Sequence, residues 1–168
     1  QINSESQYNG LTLYAVGSAT TIENIAFVSG ADDGIEFFGG AAVVTNVYVE
    51  DLQDDAIDWT EGWSGTLTNT YVKHTSANFS TAIEADGTNN NPTINNFTAV
   101  SENGGVALQF KKQSGATITN LTVTGYDTLL DTPDSAPVSG ILVDGAAIDG
   151  VAIYGGSTVV KSDFDWVN

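Results

Sequence analysis

Apolar and polar residues alternate along this chain in short stretches, and each stretch breaks at an asparagine. The phrases are Thr21-Ile22-Glu23-Asn24-Ile25, Val43-Val44-Thr45-Asn46-Val47, Thr66-Leu67-Thr68-Asn69-Thr70, Thr93-Ile94-Asn95-Asn96-Phe97 and Thr117-Ile118-Thr119-Asn120-Leu121. Two residues before the Asn stand Ile22, Val44, Leu67, Ile94 and Ile118. Three residues after it stand Phe27, Val49, Val72, Ala99 and Val123. Alternate side chains of a strand share a face, so this spacing on both sides of a break predicts two short strands meeting at a tight bend.

A third strand follows each Asn at a nearly constant distance. Its members are Gly34-Ile35-Glu36-Phe37, Ala56-Ile57-Asp58-Trp59, Ala82-Ile83-Glu84-Ala85 and Ala107-Leu108-Gln109-Phe110, with Gly140-Ile141-Leu142-Val143 as a weaker fifth. Leu11-Thr12-Leu13-Tyr14 fits the same slot upstream. The asparagines are 22, 23, 27 and 24 residues apart, too close for a strand-helix-strand unit and right for one coil of a solenoid. The reading is an all-β parallel β-helix, a single domain over residues 1–168 with about six coils of three short strands, 22–27 residues per clear coil. Asn24, Asn46, Asn69, Asn96 and Asn120 are expected to form a structural ladder, each amide bonded to its neighbour at an inward bend.

The regularity is expected to break in three places. Residues 86–92 enlarge one turn, and residues 125–139, with two prolines and three aspartates, read as a large loop leaving the coil. Residues 144–168 read as an atypical last coil that covers the end of the stack. Gln1 begins neither a signal peptide nor an open reading frame, which suggests a domain excised from a larger parent chain.

Charge narrows the functional classes. Four Lys, no Arg and 21 acidic residues give a net charge of -17, which argues against a nucleic-acid partner. No apolar run reaches the length of a transmembrane segment. Cysteine is absent, which removes disulfides and thiol chemistry.

Candidate chemistry gathers on the third strand and the turn before it. Asp32-Asp33-Gly34-Ile35-Glu36 is followed at the same register by Asp54-Asp55-Ala56-Ile57-Asp58. Matching positions of adjacent coils stand about 4.8 Å apart, so Glu36, Asp58 and Glu84 are expected to form an outward carboxylate column. Such a column calls for water, a shared proton or a cation. Asp33, Glu36, Asp55 and Asp58 are hard oxygen donors that suit Ca²⁺. The ligand-binding set is Glu36, Asp58, Glu84 and Trp63, with the Trp63 indole expected to be exposed and to stack on a sugar. Tyr48 and Tyr71 are further stacking candidates, and Trp59 is expected in the core. In a catalytic alternative, Asp55, Asp58 and Glu36 act as acid and base or nucleophile about a sugar bond. His74, the sole histidine, is read as a turn residue.

Asp32-Asp33-Gly34-Ile35-Glu36-Phe37-Phe38-Gly39-Gly40, with Asp54 to Trp63 after it, resembles a motif of secreted bacterial right-handed parallel β-helix proteins. These belong to a poorly characterised branch of the pectate-lyase-like superfamily. The resemblance implies a right-handed coil and a secreted or cell-surface location. Lyases of that superfamily imply Ca²⁺ and a basic residue for proton abstraction, and this chain has no Arg and no lyase-like lysine motif. Asp54-Asp55 is similar to a fragment of the polygalacturonase-type site. The functional expectation is a noncatalytic extracellular module that binds carbohydrate, a polysaccharide being the partner. A polysaccharide lyase or glycoside hydrolase domain and a homo-oligomeric structural module are the alternatives.

Overall fold

A computed structural model describes residues 7–87 and 92–167. The chain is an all-β parallel solenoid of roughly five turns built on two sheets. One is six-stranded, with β1 (Leu11–Tyr14), β3 (Ile35–Phe38), β5 (Ile57–Thr60), β7 (Thr81–Ala85), β9 (Val106–Phe110) and β11 (Thr128–Asp131) side by side in chain order. The other stacks β2 (Thr21–Val28), β4 (Val43–Glu50), β6 (Thr66–His74), β8 (Thr93–Ser101), β10 (Ala116–Thr124) and β12 (Ile141–Val143), all parallel. β13 (Ala146–Ala147) closes that sheet antiparallel to β12.

The two strands expected around each Asn are one bent strand. Pairing runs from Thr21 to Glu23, skips Asn24 and resumes at Ile25, and the pattern repeats in the next coils. The five asparagines are the hinge because each adopts φ between 54° and 58°. Asn tolerates this left-handed region better than any other residue with a side chain except Asp. Their amides form the ladder: Asn46 Nδ2 donates to Asn24 Oδ1 at 2.9 Å, Asn69 to Asn46 at 3.1 Å, Asn96 to Asn69 at 3.2 Å and Asn120 to Asn96 at 3.0 Å. The column stands at an outer corner, with Asn24 exposed and the others half-buried, so the expected inward placement is corrected.

The core is made of stacked columns. Val44, Leu67, Ile94 and Ile118 form one, and Ile35, Ile57, Ile83 and Leu108 face it, all fully buried. Phe37, Trp59, Ala85 and Phe110 form another, which places Trp59 inside as its alternating slot demands. Ile22, Ile25 and Phe27 of the first complete coil remain partly exposed.

The large loop and the last coil differ from expectation. Thr128–Asp131, inside the segment read as an excursion, pairs with β9, and the 3₁₀ turns Pro133–Ser135 and Val138–Gly140 follow it. Ile141–Val143 does not continue the acidic-row slot, because it pairs with Ala116–Ile118 in the Asn sheet. Asp144, at φ 50°, takes the next hinge position, and its Oδ1 accepts the Asn120 N–H at 2.9 Å. Of the predicted enlarged turn 86–92, residues 88–91 lie outside the described residues.

Beyond Asp144 the chain does more than cover the end of the stack. It returns as a strap over the outer face of the Asn sheet: the Thr98 hydroxyl donates to the Val159 carbonyl at 2.8 Å, and Phe164 packs on Tyr48 and Tyr71 at centroid distances of 5.7 and 6.3 Å. Among the described residues no helix is long and apolar enough to cross a membrane.

Candidate functional site

The six-stranded sheet carries the acidic row on its outward face. Parallel pairing sets Thr12 beside Glu36, Glu36 beside Asp58, Asp58 beside Glu84, Glu84 beside Gln109 and Gln109 beside Asp131. The flanking side chains point inward, which holds the row in line. Gly34, in the turn that delivers Glu36, has no room for a side chain, since an added Cβ would stand 2.4 Å from the Ala56 carbonyl oxygen.

Each carboxylate has a different environment. Asn9 Nδ2 donates to Glu36 Oε2 at 2.5 Å, and Lys111 Nζ meets Glu84 Oε1 at 2.5 Å. Asp33 and Asp55 are buried in the turns and tie successive coils together. Asp33 Oδ1 accepts the Asp55 N–H at 3.0 Å, and Asp55 Oδ1 accepts the Thr81 hydroxyl at 2.6 Å. Asp58 keeps Oδ1 shut away from solvent, with no hydrogen-bond partner among the described residues.

Burial, followed by the charges of Asp33, Glu84, Asp55 and Glu36, pushes Asp58 up to about 9. Burial likewise raises Asp33 to about 8, opposed by the Asp55 N–H and reinforced by the charges of Asp55, Asp54 and Asp32. Asp55, Asp54 and Glu36 are raised from their ordinary values, burial leading in each case. At neutral pH the cluster therefore retains protons, because packed carboxylates in a poorly solvated turn cannot all ionise.

Two groups of acidic oxygens lie mutually within 4.8 Å: Asp32, Asp33 and Asp54, and Asp33, Glu36 and Asp58. Three of the four proposed metal ligands thus converge. Asp55 belongs to neither group and is engaged by Thr81. Clustered side chains capable of coordinating a metal are present on this face.

The aromatic expectations need correction. Trp63 is fully buried and stacks on Phe37 at 3.9 Å with an interplanar angle of 12°, so it is a core residue and not a sugar platform. Its indole also lies 5.9 Å from Trp59, at an interplanar angle of 56°. Tyr48 and Tyr71 lie under the strap. His74 is not a turn residue: it ends β6 fully buried, stacks on Phe79 at 3.8 Å and shares a 2.9 Å hydrogen bond with the Tyr126 hydroxyl. Burial lowers its pKa to about 4, against the pull of Asp51.

The exposed aromatic surface lies elsewhere. Tyr14 is 69% exposed and stacks on Phe38 at 4.4 Å with an interplanar angle of 13°. With Tyr8, Asn9 and Thr12 it borders an open cleft of about 420 Å³ whose acidic wall is Asp32, Asp33 and Glu36. The sequence carried one signal for this: Tyr14 and Phe38 share a register position two residues beyond Thr12 and Glu36, on the same outward face.

The family model described as "Pectate-lyase like beta helix domain" matches residues 1–163. No curated protein and no solved structure matches the chain.

Proposed function

Since this chain belongs to the pectate-lyase-like β-helix family, whose fold does not by itself transmit an activity, we propose that it is a noncatalytic extracellular or cell-surface module that binds carbohydrate on its acidic face. The observation that carries the reading is the open Tyr14–Phe38 stack beside the Glu36–Asp58 row. An aromatic face covers the apolar side of a sugar ring, and Asn9, Thr12 and partly protonated carboxylates bond its hydroxyls. The noncatalytic part rests on the shortage of basic groups. Lys111 is tied to Glu84, His74 is in the core, and the chain has no Arg to stabilise charge on a uronate.

Ca²⁺ fits the same face. Asp33, Glu36 and Asp58 offer hard oxygens, and Asp58 Oδ1 is a buried acceptor without a donor among the described residues. These three residues would hold the ion, which would supply positive charge to a glycan or neutralise the row.

The raised pKa of Asp58 next to Glu36 favours one alternative, a glycoside hydrolase with an acid and a base or nucleophile in adjacent coils. A glycan array followed by product analysis, with and without Ca²⁺, separates the two. Binding without product, weakened at least tenfold by Tyr14→Ala, is the expected result. Sustained cleavage abolished by Asp58→Asn in a folded protein would replace the noncatalytic reading with the enzymatic one.

A further inference from the structure

Another open cleft lies away from the acidic face. It lies between the Asn ladder and the C-terminal strap, measures about 490 Å³, and is lined by Asn24, Asn46, Asn69, Asp163, Phe164 and Trp166 among others. We infer that this cleft is a second binding site, for a neutral saccharide chain, separate from the acidic face.

The ladder is only half used by its own hydrogen bonds. A primary amide has two N–H donors and two acceptor lone pairs. In the ladder each interior amide donates once to the coil before it and accepts once from the coil after it. Among the described residues the interior amides make no further hydrogen bond, so each keeps one N–H and one lone pair, the complement of a vicinal diol in which one hydroxyl accepts and the next donates. Parallel stacking repeats this pair about every 4.8 Å, which presents the same recognition unit to successive parts of a polymer.

The opposite wall supplies the stacking surface that Trp63 does not. Trp166 is 43% exposed, 6.1 Å by ring centroids from the anchored Phe164. Its placement is built: Val160 N–H donates to Asp163 Oδ2 at 2.9 Å, closing the 3₁₀ turn Lys161–Phe164, and Phe164 is fixed on Tyr48 and Tyr71. Indole, amides and one carboxylate give no cationic partner, so an anionic uronate polymer is disfavoured while an uncharged hydroxylated chain is accepted. A peptide strand finds no edge to extend, because β4 and β6, which carry Asn46 and Asn69, are paired with strands on both sides.

The test uses the whole chain and four probes, cellohexaose, xylohexaose, mannohexaose and laminarihexaose, followed by calorimetry and tryptophan emission. Trp59 and Trp63 are buried, so a change in emission on binding reports Trp166. At least one hexaose is expected to bind with such a change. Trp166→Ala should weaken it at least tenfold at an unchanged melting temperature, and Asn46→Ala at least fivefold. Tyr14→Ala and Asp58→Asn should leave it within twofold, which separates this site from the acidic face. Binding of none of the four, equal binding by wild type and Trp166→Ala, or loss of binding in Tyr14→Ala alone would overturn the inference. The last result would leave the acidic-face proposal standing.

Discussion

Asn69 shows how one residue type serves two physical demands. It sits at φ 55°, where a Cβ-bearing residue other than Asn or Asp is strained, and its amide is bonded on both sides. Alanine would lose both bonds and incur about 1–2 kcal/mol for the left-handed backbone. Glycine would lose only the bonds, each worth about 0.5–1.5 kcal/mol net. Denaturant unfolding should therefore rank wild type above Asn69→Gly, and Asn69→Gly above Asn69→Ala by at least about 1 kcal/mol. Equal losses would mean that the hinge conformation is not strained for alanine. Trp63 and His74 carry the opposite lesson. Both stand in polar-looking turns or at strand ends, and both are buried in ring stacks, Trp63 on Phe37 and His74 on Phe79.

At the scale of elements, the strap is the part that periodicity could not place. Residues 157–167 have no repeat partner, yet they lie along the Asn sheet through Ser157, Val159 and Phe164. Ser157 N–H donates to the Thr122 hydroxyl at 3.0 Å, and Phe164 is 3% exposed. The coils hold their own pairing without it. Phe164→Ala is expected to remove about 3 kcal/mol of local anchoring, in the range for buried aromatic truncation. Amide exchange should then accelerate in residues 157–167 while β4, β6 and β8 keep their protection. Uniform acceleration across the coils would show instead that the strap and the solenoid unfold as one unit.

The whole molecule couples stability to protons through groups displaced in opposite directions. Asp33 and Asp58 are raised to about 8 and about 9, so the stability they contribute is fully present below their unfolded value near 3.8 and is lost as pH rises through 8 and 9. His74 is lowered to about 4, so its contribution is present above its unfolded value near 6.5 and is lost as pH falls through 4. Asp51 is lowered despite burial by hydrogen bonds from Thr75 and Ser76, and its contribution also disappears on acidification. In chelator the melting temperature is expected to peak in the mildly acidic range and to fall toward pH 9, with Asp58→Asn flattening the alkaline limb. Ca²⁺ competes with protons for the same oxygens, so its stabilisation should be larger at pH 9 than at pH 5.5. An alkaline limb unchanged in Asp58→Asn would remove that residue as its source. An identical melting temperature with and without Ca²⁺ at pH 9 would remove the ion from the acidic face.

What the sequence determined by itself was the register of what repeats. The Asn spacing, the alternating apolar columns and the acidic register follow from one coil period, and stacking equivalent residues buries columns such as Val44, Leu67, Ile94 and Ile118 together. The alignment of Glu36 with Asp58 and Glu84 was legible for the same reason. The tertiary structure decided what does not repeat: Trp63 in the core, Tyr14 and Phe38 as the open stack, Ile141–Val143 in the Asn sheet, and Trp166 facing the ladder. Periodicity specifies which residues share a column. It carries no information about a space left between coils or the path of a segment with no equivalent, and these are set only when side-chain volumes and the returning chain compete for the same surface.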